Sequence, residues 1–91
     1  MTDVTNDQIL RLFRENLRRI RTSAGLTQTE LAQRIGLVPG YICDLERGRR
    51  SGNGVSLTTL AKLAEALDVE PALLISTART ARNDILNPAA A

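Results

Sequence analysis

Residues 27–48 carry two short helical patterns with only a few residues between them, and this spacing constrains the fold more than any other feature. Thr27 and Glu30 have the T-x-x-E form of a capping box, which predicts the start of a helix. Gly36 suits the left-handed conformation that often ends a helix, and Pro39 suits the first position of the next helix, where no backbone N–H is needed. We therefore predict two helices that are joined by a tight turn and held close together.

Helical spacing continues on both sides of this unit. Thr5 and Gln8 predict the start of a first helix, and Gly25 predicts its end. Its apolar stripe consists of Ile9, Phe13, Leu17, Ile20 and Ala24. In the helix that begins at Pro39, a rotation of about 100° per residue directs one set of side chains to the core. This set consists of Val38, Ile42 and Leu45.

Two further helices are expected near the end of the pattern. Ser56 can cap a fourth helix, and Pro71 can begin a fifth one. We expect the buried side of the fourth helix to consist of Leu57, Leu60, Leu63, Ala64 and Leu67. We therefore predict an all-α domain of five helices over residues 5–76. Residues 77–91 form a C-terminal extension that is partly disordered or supports a dimer.

The composition excludes several classes of function. The chain has one cysteine, Cys43, and no histidine, so an intramolecular disulfide and a histidine-based catalytic or metal site are excluded. No apolar run approaches the ~20 residues that span a membrane, and the N-terminus does not have the pattern of a signal peptide. We therefore expect a cytoplasmic protein that is not an enzyme, with no cofactor, no metal and no evident small-molecule ligand.

Positive charge is concentrated in one part of the chain. The whole chain has a net charge of +2, but residues 11–50 contain nine arginines and four acidic residues, a net charge of +5. A phosphate-binding surface requires such a concentration, whereas a solvated arginine face that maintains solubility is the alternative. The charge alone does not decide between these interpretations. Beside the two closely spaced helices predicted for residues 27–48, it favours binding to DNA.

Four segments in order resemble the Cro/repressor-type (XRE-like) DNA-binding domains of phage and bacterial regulators. They are NLRRIRTSAGLTQ, QTELAQRIG, YICDLERGRR and LTTLAKLAEALDVEPALLI, and they cover most of residues 16–75. The resemblance implies a compact five-helix repressor-type domain with a central helix-turn-helix. It also implies a sequence-specific transcriptional regulator, a repressor that binds a (pseudo)palindromic operator in double-stranded DNA as a homodimer. Such a protein is bacterial or encoded by a phage or plasmid, and it is associated with the nucleoid.

The resemblance, the outward face of the third helix and the positions of the arginines together indicate the candidate site residues. The resemblance implies a salt bridge between Arg21 and Glu46, which would hold two helices in register. DNA contacts are expected from the start of the second helix, from the outward face of the third, from the loop after it and from the first helix. These residues are Thr27, Gln28, Pro39, Gly40, Tyr41, Cys43, Asp44, Arg47, Arg49, Arg50 and Arg18.

Individual roles follow from the chemistry of the side chains. Asp44 can accept a hydrogen bond from a cytosine amino group, so we expect it to read a base, whereas Arg47 is expected to contact phosphate. Tyr41 either contacts DNA or forms a wall of the core. Val38 occupies the position where relatives carry a capping Ser or Thr, and Pro39 and Gly40 stand where many carry longer base-reading side chains. Direct readout is therefore expected to rest on few side chains.

An interaction module is the alternative function. In this interpretation the domain is an antitoxin that mainly binds a toxin partner and also regulates its own gene. The short segment after the domain argues against it, because we expect little chain there to wrap around a partner.

Overall fold

The computed structural model describes residues 6–48 and 55–77. These two ranges contain no strand, and their five helical elements follow one another along the chain. They are α1 (Asn6–Ser23), α2 (Gln28–Arg34), α3 (Pro39–Arg47), α4 (Leu57–Leu67) and a 3₁₀ helix (Pro71–Ile75). The predicted all-α class is confirmed, but the fifth element is a short 3₁₀ helix rather than an α-helix. The predicted cap Thr5 and most of the extension at 77–91 lie outside the described residues.

Local signals in the sequence set most of the helix boundaries. The capping box is formed, since the Glu30 backbone N–H donates to the Thr27 hydroxyl and the Thr27 N–H donates to the Glu30 carboxylate. The Ser56 hydroxyl likewise accepts from the backbone N–H of Thr59 at 3.1 Å and starts α4. Pro39 is the first residue of α3, as predicted. These contacts satisfy backbone N–H groups that helix starts otherwise leave without partners.

A single core is built from every helical element of the described ranges. Helix α2 packs against α3 and α4, while α1 packs against α3 and the 3₁₀ helix. The buried apolar residues are Phe13, Leu17, Ile20, Leu31, Ala32, Ile35, Ile42, Leu45, Leu60, Leu63, Ala64, Leu67 and Leu74. All but Phe13 are aliphatic, and the one tyrosine, Tyr41, packs half-buried against this cluster. Tyr41 therefore packs against the core with part of its side chain exposed, and its contact with DNA stays a prediction.

Four apolar residues that were expected on buried faces are exposed: Ile9 and Ala24 at the two ends of the α1 stripe, Val38 and Leu57. Leu57 is 82% exposed at the first position of α4, and Val38 is 69% exposed. Val38 is the N-cap of α3 with φ −75° and ψ 151°, so it lies outside the helix and a rotation of 100° per residue does not describe it. Leu57 lies on the same face of α4 as the buried Leu60. A position on that face does not by itself mean that another element covers the first turn of the helix.

One buried polar side chain connects α1 to the 3₁₀ helix. The amide nitrogen Nδ2 of Asn16 lies 3.3, 3.1 and 3.0 Å from the carbonyl oxygens of Leu73, Leu74 and Ser76. Its Oδ1 accepts a hydrogen bond of 2.6 Å from Arg19 Nη2. Asn16 is 4% exposed, and it interrupts an otherwise apolar stripe. This lone asparagine among Phe13, Leu17 and Ile20 was the signal in the sequence for such a contact.

Candidate nucleic-acid interface

A buried ion pair fixes the position of α3 relative to α1. Arg21 Nε donates to Glu46 Oε2 at 2.6 Å, and Arg21 Nη2 donates to Glu46 Oε1 at 3.0 Å. The two side chains are only 10% and 3% exposed. A third bond runs from Arg21 Nη1 to the carbonyl oxygen of Leu26 at 2.7 Å, so the same guanidinium also holds the α1–α2 loop. The planar fork of arginine allows all three bonds at once.

Gln28 joins this network from the start of α2. Its side-chain Nε2 donates to Glu46 Oε1 at 2.9 Å, which places the first turn of α2 against α3. The sequence suggested Gln28 as a phosphate contact and did not indicate this bond, because only the fold brings residues 28 and 46 together. One amide hydrogen is used for Glu46, and the second hydrogen and the amide oxygen remain available by their chemistry to a further ligand.

The side of α3 that faces away from the core carries most of the candidate DNA contacts. Ile42 and Leu45 are buried, whereas Pro39, Gly40 and Arg47 are exposed. Cys43 and Asp44 are half-buried between these two groups. One face of the helix therefore anchors it, and the other presents a carboxylate and a guanidinium beside small residues. An α-helix with one exposed face can enter the major groove of B-DNA, which is about 12 Å wide.

The two ends of α3 differ in how they are formed. At the start, Val38 makes no side-chain hydrogen bond to the helix. At the end, Gly48 has φ +74°, and a Cβ there would lie 2.9 Å from Arg14 Nε. The left-handed backbone conformation favours glycine at this position, and a Cβ would also require the flexible side chain of Arg14 to shift.

The remaining candidates are dispersed around this helix. Thr27 is exposed and its hydroxyl caps α2, while Arg18 is exposed on α1. Arg49 and Arg50 lie outside the described residues. Among the residues that the structure describes, no cluster of histidine, cysteine or carboxylate side chains could hold a metal ion. None of the helices in these ranges combines the length and hydrophobicity that crossing a bilayer requires.

Comparison with known proteins identifies the arrangement of α2 and α3. A family model described as helix-turn-helix matches residues 17–74, which is most of the described domain. The chain belongs to the XRE-like helix-turn-helix family. The match begins within α1 and ends in the 3₁₀ helix, so the family unit contains the Arg21–Glu46 pair as well as the turn.

Relatives within this family are named as regulators. A protein of Sinorhizobium fredii called "Uncharacterized HTH-type transcriptional regulator y4dJ" is 39% identical over 66 residues, which are 72% of this chain and 82% of that protein. The restriction–modification controller protein C.AhdI from Aeromonas hydrophila is 46% identical with a TM-score of 0.64. The alignment covers 71% of this chain and 94% of that structure.

Two further crystal structures have the same fold. The clp gene regulator ClgR from C. glutamicum is 35% identical with a TM-score of 0.64, over 72% of this chain and 82% of that one. A hypothetical transcription factor, NHTF from Neisseria, is 26% identical with a TM-score of 0.70, over 94% of both chains. This family and fold are those of transcription regulators. In a helix-turn-helix that binds DNA, the second helix is the recognition helix.

Proposed function

We propose that this protein is a transcriptional repressor that binds a (pseudo)palindromic operator in double-stranded DNA as a homodimer. The coarser statement follows from the family: the chain is a DNA-binding transcriptional regulator. The proposal adds the sign of regulation, the symmetry of the operator and the residues that contact it. Regulation by binding alone, without catalysis or a cofactor, and a location at the nucleoid in the cytoplasm belong to the same proposal.

The observation that carries the proposal is the fixed orientation of α3. Buried contacts from Arg21 and Gln28 reach Glu46 on one side of this helix, while Asp44 and Arg47 lie toward the other side. A reading helix must be held rigidly, because a base contact depends on placing a donor or acceptor within hydrogen-bond distance of one base edge. The network supports this role without using Asp44 or Arg47.

The arginines supply the electrostatic part of the interaction. We propose that Arg18, Arg47, Arg49 and Arg50 contact phosphates, together with Thr27 and Gln28 at the start of α2. Helix starts favour anions, because their backbone N–H groups and dipole point toward them. Phosphate contacts position the protein on the duplex, whereas base contacts select the sequence. In this arrangement Asp44 is the base reader, because a carboxylate is repelled by phosphate and accepts a hydrogen bond from cytosine.

A dimer follows from the small footprint of one domain. A single helix-turn-helix reads few base pairs, and dimers of such domains read two half-sites about 34 Å apart. The apolar side chains near the end of the sequence, which are a candidate dimer surface, are Leu73, Leu74, Ile75, Ile85 and Leu86. Leu74 is fully buried in the core, so it is not available, whereas Ile75 is 43% exposed. We propose that Ile75 and Leu57 contribute to the surface, since they lie on the 3₁₀ helix and α4, which pack together. Ile85 and Leu86 lie outside the described residues.

The test is selection of bound sequences from random DNA, followed by sedimentation of the protein with the selected duplex. We expect enrichment of two related half-sites about one helical turn apart and a mass of two chains per duplex. Arg47→Ala should weaken binding to the selected duplex. Lys62→Ala, which removes an equal charge from the exposed side of α4, should not. Failure to enrich any sequence, or a monomer both free and on DNA, would refute the proposal.

One relative suggests a biological context. C.AhdI is a restriction–modification controller, and its 46% identity extends over 94% of its chain. We propose the same role for this protein. Its selected site should then occur upstream of restriction or methyltransferase genes in the source genome, and reporter transcription from that promoter should fall when the protein is present. A selected site found only beside unrelated genes would contradict this role.

A further inference from the structure

Helix α3 begins differently from α2 and α4, the helices before and after it in the chain. Thr27 caps α2 and Ser56 caps α4, each through a hydroxyl that accepts a backbone N–H of the first turn. The corresponding residue of α3 is Val38, whose side chain has no oxygen and makes no capping bond. Val38 is also 69% exposed, so core packing does not account for it. The position thus lacks both of the roles that usually select a residue at the start of a helix.

The location of Val38 indicates what it contacts. In helix-turn-helix proteins the N-terminal residues of the recognition helix meet the base edges. After Val38, Pro39 has no backbone N–H and Gly40 has no side chain, and a Cβ built at Gly40 would have no atom within 4 Å. This end of the helix is therefore small and lacks polar side-chain groups. Val38 is its most exposed large apolar side chain.

Only one feature of the major groove offers an apolar partner to such a residue. Adenine, guanine and cytosine present donors and acceptors there, while thymine also presents its C5-methyl group. A branched apolar side chain at the tip of the recognition helix cannot distinguish bases by hydrogen bonds, but it can bury a methyl group. Contact with thymine also gives a reason for the missing cap, because a hydroxyl at this position would be less suited to that contact.

We propose that Val38 is a specificity-determining residue that reads the C5-methyl group of one thymine in each half-site. This inference rests on the proposed function, since it requires α3 to lie in the major groove. It assigns apolar readout to the start of the helix, and it leaves hydrogen-bonded readout to Asp44, which lies farther along the same helix.

Deoxyuridine provides the direct test, because it differs from thymidine only by the absence of this methyl group. Each thymine of the selected site is replaced singly, and the dissociation constant of the intact protein is measured for each duplex. We expect one position per half-site at which the wild-type protein loses affinity about fourfold, the effect of burying one methyl-sized group. Other thymines should change the affinity much less.

The matching variant is Val38→Ser, which removes both methyl groups and introduces a capping hydroxyl like that of Ser56. Because the hydroxyl can accept an N–H of the first turn, we expect the variant to be at least as stable to heat as the wild type. Its affinity ratio between the thymine and the uracil duplex should fall to about one at the identified position. Ile9→Ser removes an exposed apolar side chain from α1 that is not among the proposed DNA or dimer contacts, and its ratio should stay that of the wild type.

Several results would overturn the inference while leaving DNA binding intact. These are a selected site at which no uracil substitution weakens binding, and a Val38→Ser variant that keeps the full thymine preference. A change in the oligomeric state of Val38→Ser with unchanged base preference would mean that this side chain covers a second subunit instead. By contrast, a protein that enriches no DNA sequence contradicts the proposed function itself.

Discussion

At the scale of single residues, the pair Arg21 and Glu46 makes the largest individual contribution that we predict. Each charge is nearly excluded from water and is compensated by the other. Removal of one partner leaves an uncompensated buried charge, which costs about 3 kcal/mol. We therefore expect Arg21→Met and Glu46→Gln each to lower the free energy of unfolding by about that amount, as measured by urea denaturation.

The double variant separates a direct interaction from two independent losses. Since the second substitution removes a group that the first has already left without its charge partner, the combined loss should be smaller than the sum of the single losses by about 0.5–3 kcal/mol. Asp44→Asn, a half-buried carboxylate on the same helix, serves as the comparison for the loss of an acidic charge alone. Strict additivity of Arg21→Met and Glu46→Gln would mean that their contact does not stabilise the fold.

Asn16 gives a second prediction at this scale. Its amide group has two hydrogens for three carbonyl oxygens within 3.3 Å, so at least one hydrogen is shared. Asn16→Ala leaves these carbonyls without this donor, and we expect a loss of about 1–3 kcal/mol in the free energy of unfolding. Gln33→Ala, an exposed amide on α2, should change it by less than about 0.5 kcal/mol. Equal, small effects of both substitutions would show that Asn16 does not hold the 3₁₀ helix.

At the scale of elements, Gly40 within α3 and Gly48, which ends this helix, should respond in opposite ways to alanine. Gly48 has φ +74° and is crowded by Arg14, so Gly48→Ala should destabilise the protein by more than about 1 kcal/mol. Gly40 has space for a Cβ within a helix, so Gly40→Ala should leave stability unchanged or raise it by about 0.5 kcal/mol.

DNA binding should separate these two variants further. Close approach of the backbone to DNA at Gly40 predicts weaker binding by Gly40→Ala despite its intact fold, as measured by titration of the selected duplex. If Gly40→Ala bound with the affinity of the wild type, the helix backbone would not approach the DNA at this point.

The boundaries of the helices were predictable where local chemistry decides them. The capping box at Thr27, the proline at the first position of α3 and the cap at Ser56 each act within four residues, and the structure confirms all three. The 3₁₀ form of the last element was not predictable in this way. Its carbonyl groups at Leu73 and Leu74 receive the Asn16 amide from α1, more than fifty residues away along the chain. A local pattern cannot contain such a contact.

In the candidate site, too, some contacts could be predicted from the sequence and others could not. The salt bridge between Arg21 and Glu46 could be predicted, because the resemblance joins these two positions as a pair, and the structure confirms it. The bond from Gln28 to Glu46 was missed, since a glutamine at a helix start is equally suited to a phosphate. Val38 was assigned to the core because its residue type and spacing fit, whereas its extended backbone directs it outward. Contacts with DNA by the individual residues remain predictions.

At the scale of the whole molecule, the concentration of positive charge in residues 11–50 predicts a strong dependence of binding on salt. Each phosphate that is neutralised releases counterions, so the logarithm of the binding constant should fall with a slope of about −0.9 per phosphate against the logarithm of salt concentration. Arg18→Ala and Arg47→Ala should each make this slope less steep by about one, while Lys62→Ala should leave it unchanged. A nearly flat dependence for the wild type would contradict electrostatic contacts with the backbone.

The central claim is that the outward face of α3 selects the DNA sequence, and Asp44 tests it most directly. Selection from random DNA is carried out with the wild type, with Asp44→Ala and with Arg47→Ala, after thermal denaturation has shown that all three are folded. We predict that Asp44→Ala alters the preferred base at one position per half-site, worth about 1–3 kcal/mol of discrimination. Arg47→Ala should lower the affinity for all sequences alike. If Asp44→Ala retained the base preferences of the wild type at every position, Asp44 would not be a reader, and the shape of the DNA or contacts from residues 49–56 would have to supply the specificity.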